Sequence, residues 1–155
     1  MKSLLILGAG GFGHMIKETA QALGYEEIVF LDDMVKEDDV IGMCCDYVIK
    51  HEDYPVAVAA FGNNKTRLFW TDKLLEEGYE VPAIVHPSAV VSPSVTLEPG
   101  CFIMQRSVVN TNTKIERAAL VNSGAVVDHN SVVCAGAHVG LGSVVKANCT
   151  IESGR

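Results

Sequence analysis

Two histidines in the C-terminal half have the type and spacing for proton transfer. In Val127-Asp128-His129-Asn130, His129 stands two places after an aliphatic residue, and His138 directly precedes Val139. An imidazole titrates near neutrality, so it can take a proton from an attacking hydroxyl or amine. Asp128 is an acceptor near enough to fix its tautomer, although adjacent strand residues point opposite ways. A second group lies near the N-terminus. Gly8-Ala9-Gly10-Gly11-Phe12-Gly13 follows an apolar run and opens a helical pattern, a combination that turns backbone amides and a helix dipole toward a phosphate. Asp32 and Asp33 stand at the end of the next apolar run, where an acidic side chain meets a ribose or base. Asn63, Asn64 and Arg67 open a later helical pattern; the asparagines suit capping as well as ligand contact, and Arg67 suits a surface ion pair.

The elements that carry these residues fall into two halves. Leu4 to Leu7 is a continuous apolar run suited to a buried parallel strand, and a helical pattern through Ile16, Thr19, Ala20 and Leu23 stops at Gly24. Ile28 to Leu31 reads as a second strand, Met34 to Tyr54 as an acidic loop, and Val56 to Ala60 as a third strand. A helix through Leu68 and Leu75 ends at Gly78, and Val81 to Val85 reads as a last strand. The pattern β-α-β-β-α-β is one mononucleotide-binding half of a doubly wound α/β fold. A dinucleotide needs two such halves, so a nucleotide or nucleotide sugar is expected here rather than NAD.

From Val91 onward the chain beats in sixes. Val91, Leu97, Ile103, Val109, Ile115, Val121, Val127, Val133, Val139, Val145 and Ile151 are all branched aliphatics, and four places after each comes a mostly small side chain, only Arg155 being large. A six-residue period is neither helical nor alternating; it belongs to a hexapeptide-repeat parallel β-helix, in which three hexads close one coil and residues eighteen apart stack. Val90 to the end amounts to fewer than four coils. His86-Pro87-Ser88 separates the halves, giving an expected nucleotide-sugar domain over 1–85 and a β-helix over 86–155, with His86 a linker residue.

Composition narrows the function classes. The net charge of −7 and pI near 5.1 argue against a nucleic-acid partner or an anionic membrane surface. No apolar run reaches membrane-spanning length and nothing resembles a signal peptide. The five cysteines show no metal-ligand spacing, so no metal is expected and a reducing cytoplasm is the expected setting.

With these residues in view, the chain resembles the sugar O-/N-acyltransferases of the sialic-acid O-acetyltransferase and bacillosamine N-acetyltransferase type. The resemblance rests on the glycine loop from Gly8 to Gly13, Phe30-Leu31-Asp32-Asp33, Gly62-Asn63-Asn64 with Arg67, Ile84 to Ala89, and Asn122 to His129. It implies a left-handed β-helix homotrimer that moves acetyl from acetyl-CoA to a hydroxyl or amine of a nucleotide-activated, UDP-type sugar such as an amino sugar. On that likeness His129 is the general base, His138 lies near the acyl thioester, and a backbone amide near Ala147 meets the oxyanion. The glycine loop with Asp32 and Asp33 takes the nucleotide. Phe12 stands where the family often has histidine, and Asn130 where it usually has an acidic residue. Members of the family run on beyond the position of Arg155, so the chain is expected to be shortened. If so, the alternative is a non-catalytic module that binds nucleotide sugar and trimerises.

Overall fold

The computed structural model describes residues 1–154, and the chain divides into two compact units between Pro82 and Ala83. In the first, β1 (Ser3–Leu7) lies between β2 (Glu27–Leu31) and β3 (Ala57–Ala59), all parallel in the order β2-β1-β3. Leu4 to Leu7 are fully buried, as expected of a strand covered on both faces. Helix α1 (Gly11–Ala22) is released at Gly24, whose φ of +92° is left-handed. The stretch after β2 is less irregular than its sequence suggests: Phe30 bridges to Val40, and a 3-10 turn at Cys44–Asp46 leads into α2 (Tyr47–Lys50). Helix α3 (Asn64–Glu77) ends on Gly78, again left-handed.

The expected last strand of this unit is not there. Ile84 and Val85 pair with Phe102 and Ile103 instead, so the sheet has three strands and the boundary falls ahead of Val85. The physical reason lies in the six-residue beat, which extends back one step from Val91 to Val85.

The second unit is a three-sided parallel β-helix of two-residue strands. Ile84–Val85, Phe102–Ile103, Leu120–Val121 and His138–Val139 form its first sheet. Val90–Val91, Val108–Val109, Val126–Val127 and Val144–Val145 form the second. Thr96–Leu97, Lys114–Ile115, Val132–Val133 and Thr150–Ile151 form the third. Partners are eighteen residues apart, as the repeat requires. The second residue of each strand points inward, and those from Ile103 to Val145 are at most 6% exposed. Each such valine contributes roughly 1.5–3 kcal/mol by leaving water.

The corners repeat as strictly as the strands. Gly100, Arg106, Asn112, Ala118, Gly124, Asn130, Gly136, Gly142, Asn148 and Gly154, each six after the last, all have positive φ. Only glycine reaches that region freely, with asparagine the best of the others. Ser88 and Ser94 begin the series differently: their hydroxyls accept the Arg106 and Asn112 amides one coil on, at 3.0 and 2.9 Å. His86 is therefore no linker. Its Nδ1 takes the Ser88 amide at 3.0 Å and its carbonyl takes the Ala89 N–H, closing the first corner. Arg155 lies outside the described residues.

Candidate active site

The glycine loop makes a tight turn from strand to helix. Gly8 has φ +100°, and a Cβ on Gly13 would sit 1.9 Å from the Gly8 carbonyl oxygen, so strand and helix meet with no room for a side chain. Gly10 and Gly11 differ: both are exposed, and a Cβ on either would meet nothing within 4 Å. Gly10 is the N-cap of α1 and no side chain caps that end. The loop is thus anchored at Gly8 and Gly13 and open at Gly10 and Gly11, the geometry in which amides approach an anion. Phe12 is half-buried in the first turn of α1.

The first of the two aspartates after β2 serves this loop in a way the sequence did not disclose. Asp32 Oδ2 accepts the Ala9 amide at 2.8 Å, and its Oδ1 accepts the Met34 and Val35 amides, each at 2.8 Å. Burial pushes its carboxyl up, but the three N–H donors, Ala9 first, outweigh burial and hold it below the usual carboxylate range. Asp33 Oδ1 accepts the Cys44 amide at 2.9 Å. Both carboxylates tie loops together.

The start of α3 follows the same rule. Asn63 Oδ1 caps the helix through the Thr66 amide at 2.9 Å. Arg67 is not at the surface: it is wholly buried, its Nη1 donating to the Phe61 and Gly62 carbonyls at 3.1 and 3.3 Å and its Nη2 to Asn64 Oδ1 at 2.9 Å. Burial lowers its guanidinium to about 10. The planar fork spreads its donors over two nitrogens in a fixed geometry to meet these acceptors.

In the β-helix, His129 and Asn130 are exposed at the corner between the second and third sheets. His129 Nδ1 lies 2.8 Å from Asn130 Oδ1. A carbonyl oxygen only accepts, so Nδ1 carries the proton and the Nε2 lone pair is left to act as a base. Asn130, not Asp128, fixes the tautomer, and it does so from a corner position with φ +56°. Asp128 Oδ1 instead accepts the His129 backbone N–H at 2.8 Å and the Asn110 amide at 3.0 Å. The Asn110 donor and then the His129 N–H hold Asp128 below the usual carboxylate range.

Ala147 stands at the same corner one coil on, where the Asn148 amide donates to the His129 carbonyl at 3.1 Å. Among the described residues nothing accepts the Ala147 N–H, so the expected base and the expected oxyanion donor share one corner.

His138 is elsewhere, on the first sheet. Asn122 Oδ1 takes the Ser123 amide at 2.9 Å, which turns its NH₂ toward His138 Nε2 at 3.1 Å; Nδ1 then carries the His138 proton. Within one chain the two histidines do not come together. His138 also rims a cavity of about 460 Å³ floored by Val139, Val145 and Ile151, the inward residues of the last described coil. That cavity does not include His129.

Comparison with known proteins follows the same division. Residues 3–74 match the PglD N-terminal domain. Over 93% of its length the chain resembles PerB from Caulobacter crescentus, solved with CoA and GDP-perosamine, at 32% identity and a TM-score of 0.85, covering 71% of that protein. The acetyltransferase domain of PglB from Neisseria gonorrhoeae, solved with acetyl coenzyme A, is 30% identical over 99% of this chain and 86% of its own, with a TM-score of 0.80. WeeI from Acinetobacter baumannii shares the fold at 17% identity, a TM-score of 0.70, and coverage of 97% of this chain and 94% of its own. The β-helix is therefore the left-handed acyltransferase kind, as expected.

Proposed function

We propose that this chain, which belongs to the acetyl-CoA-dependent sugar N-acetyltransferase family of PerB and PglB, acetylates the free amine of a nucleotide-linked amino sugar with His129 as general base. One observation carries the reading: at a single solvent-facing corner, His129 has its Nδ1 held by Asn130 at 2.8 Å, with the Ala147 N–H, one coil away, unspent among the described residues. As the amine attacks the thioester carbonyl, His129 Nε2 takes the proton and the C–N bond forms. The oxyanion meets the Ala147 N–H, and collapse expels the CoA thiolate, which receives the proton from His129. The open amides at Gly10 and Gly11 would take the diphosphate; Asp32, Asp33, Asn63, Asn64 and Arg67 shape the loops around it.

An amine acceptor rather than a hydroxyl is supported by the likeness to the GDP-perosamine N-acetyl transferase from Caulobacter crescentus. The motif resemblance points to uridine as the base, while PerB was solved with a guanosine sugar, so both belong in the assay. His129 and His138 lie on different parts of one prism, and a homotrimer through the β-helix would let one copy's His129 approach another's first sheet. The outer face of the second sheet suits such packing: Val90, Val108, Val126 and Val144 are stacked in register. A non-catalytic module has no observation of its own in its favour.

The test is thiol release from acetyl-CoA with GDP-perosamine and with UDP-linked 4-amino sugars. His129→Ala is expected to lose about 10²–10⁴-fold in kcat while still binding acetyl-CoA. Undiminished turnover by that variant would remove His129 from its role.

A further inference from the structure

Side chains at other corners of the β-helix reach forward to the next coil. Glu98 Oε1 accepts the Arg117 amide and Glu116 Oε1 the Ala135 amide, both at 3.1 Å, while Ser88 and Ser94 do the same for Arg106 and Asn112. Asp128 departs from this pattern, as Asn122 does toward the Ser123 amide at 2.9 Å, but Asp128 is also braced from another coil. Its Oδ1 turns back onto the N–H of its own neighbour, His129, at 2.8 Å, and is held there from the coil beneath by Asn110 Nδ2 at 3.0 Å. The Asp128 carbonyl is tied down as well, accepting the Thr113 hydroxyl at 2.9 Å. On either side, the Asn130 amide donates to the Thr111 carbonyl at 2.9 Å and the His129 carbonyl accepts Asn148.

The consequence concerns the backbone under the imidazole. An exposed histidine whose ring has a single partner is only as well aimed as its Cα. A displacement of about 1 Å at a reacting group costs on the order of a hundredfold in rate. Without Asp128 the His129 N–H would face water, and the left-handed turn that follows it would lose one of its restraints.

Resting on the reading of His129 as base, we propose that Asn110 and Asp128 are positioning residues for the reaction, a two-coil strut that sets the direction of the His129 side chain. The other titratable groups at this corner, Lys146 one coil above Asp128 and the half-buried Cys149, take no part in the strut.

Steady-state kinetics with acetyl-CoA and GDP-perosamine, alongside thermal unfolding, test this. Asp128→Ala is expected to lower kcat about tenfold, with KM for both substrates within about twofold and the unfolding midpoint little changed. Asp128→Asn keeps an oxygen acceptor and is expected to recover most of the rate, and Asn110→Ala to fall between. Equal kcat in Asp128→Ala and the parent would overturn the strut. So would a loss that tracks KM or thermal stability, or an Asp128→Asn variant as slow as Asp128→Ala. His129→Ala is run in parallel: if it stays active, the base assignment has failed, whereas an inactive His129→Ala beside an unimpaired Asp128→Ala sinks only the strut.

Discussion

The β-helix and the α/β unit solve the same problem by opposite means. In the β-helix one rule is applied over and over: an inward aliphatic, a tight corner, a small side chain, and a partner eighteen residues away. In the α/β unit nearly every polar contact is used once. Asp32 gathers three amides from two loops, and Arg67 bridges two carbonyls and an asparagine at one helix start. A repeated position is interpretable by comparison with its copies, and a feature such as the Asn110 brace on Asp128 stands out against them. A position used once has no copies, and its role shows only when its partners are seen.

The largest expected effect strikes a contact used once. Gly13→Ala would drive a methyl against the Gly8 carbonyl, 1.9 Å away, and neither backbone can retreat without parting strand from helix. A loss of about 3 kcal/mol or more is expected, together with nucleotide binding, by urea unfolding and calorimetric titration. Gly10→Ala meets open space and should leave stability unchanged while weakening nucleotide binding. If both variants bind nucleotide as the parent does, the loop is no cradle.

Within the repeat, identical residues should differ only by place. Val121 is fully buried mid-prism, whereas Val91 in the first rung of its sheet is half-exposed. Val121→Ala is expected to cost about 2–3 kcal/mol through lost burial and the cavity left behind, and Val91→Ala less than about 1 kcal/mol. Equal costs would mean that the rungs do not share one continuous core.

Acid should find the α/β unit through Asp32. Its carboxyl is held below the usual range in the fold, so its contribution is complete above the unfolded value near pH 4 and fades as pH falls through the folded value below that. Asp32→Asn removes that dependence. The stability gap between parent and variant should be widest at neutral pH and narrow below about pH 4, which chemical unfolding at both pH values measures. A gap that widened in acid would contradict the hydrogen bonds to Ala9, Met34 and Val35.

The six-residue beat made the β-helix legible, down to the inward residues and their partners, because its core depends only on spacing. The same beat also carried Val85 and the corner glycines and asparagines, a signal present in Gly100, Asn112, Gly124, Gly136 and Asn148 but masked by reading polar residues at turns as unremarkable. The tight strand-to-helix turn at Gly8 to Gly13 was legible because glycine has few other uses between a strand and a helix. Asp32 and Arg67 were not, since a carboxylate meeting a ribose and one meeting three amides are written with the same letter. A buried guanidinium likewise carries no mark in sequence that separates it from a surface one.

The smallest expected effect tests the corner rule itself, with two substitutions of opposite sign. Arg106 is exposed with φ +57°, so its side chain gains nothing from burial while its backbone sits where Cβ crowds the following carbonyl. That crowding costs roughly 1–2 kcal/mol, and glycine would relieve it at an entropic cost of about 0.5–1 kcal/mol in the unfolded chain. Arg106→Gly should therefore stabilise by about half a kcal/mol, with its amide still bonded to Ser88. Gly142 has φ +64° and nothing within 4 Å of a Cβ, so Gly142→Ala meets no clash and pays only for its backbone, a loss of about 0.5–1 kcal/mol. Matched chemical unfolding resolves both. If Arg106→Gly destabilised as much as Gly142→Ala, the left-handed corner would not be set by backbone sterics, and the likeness among the ten corner positions would be one of sequence alone.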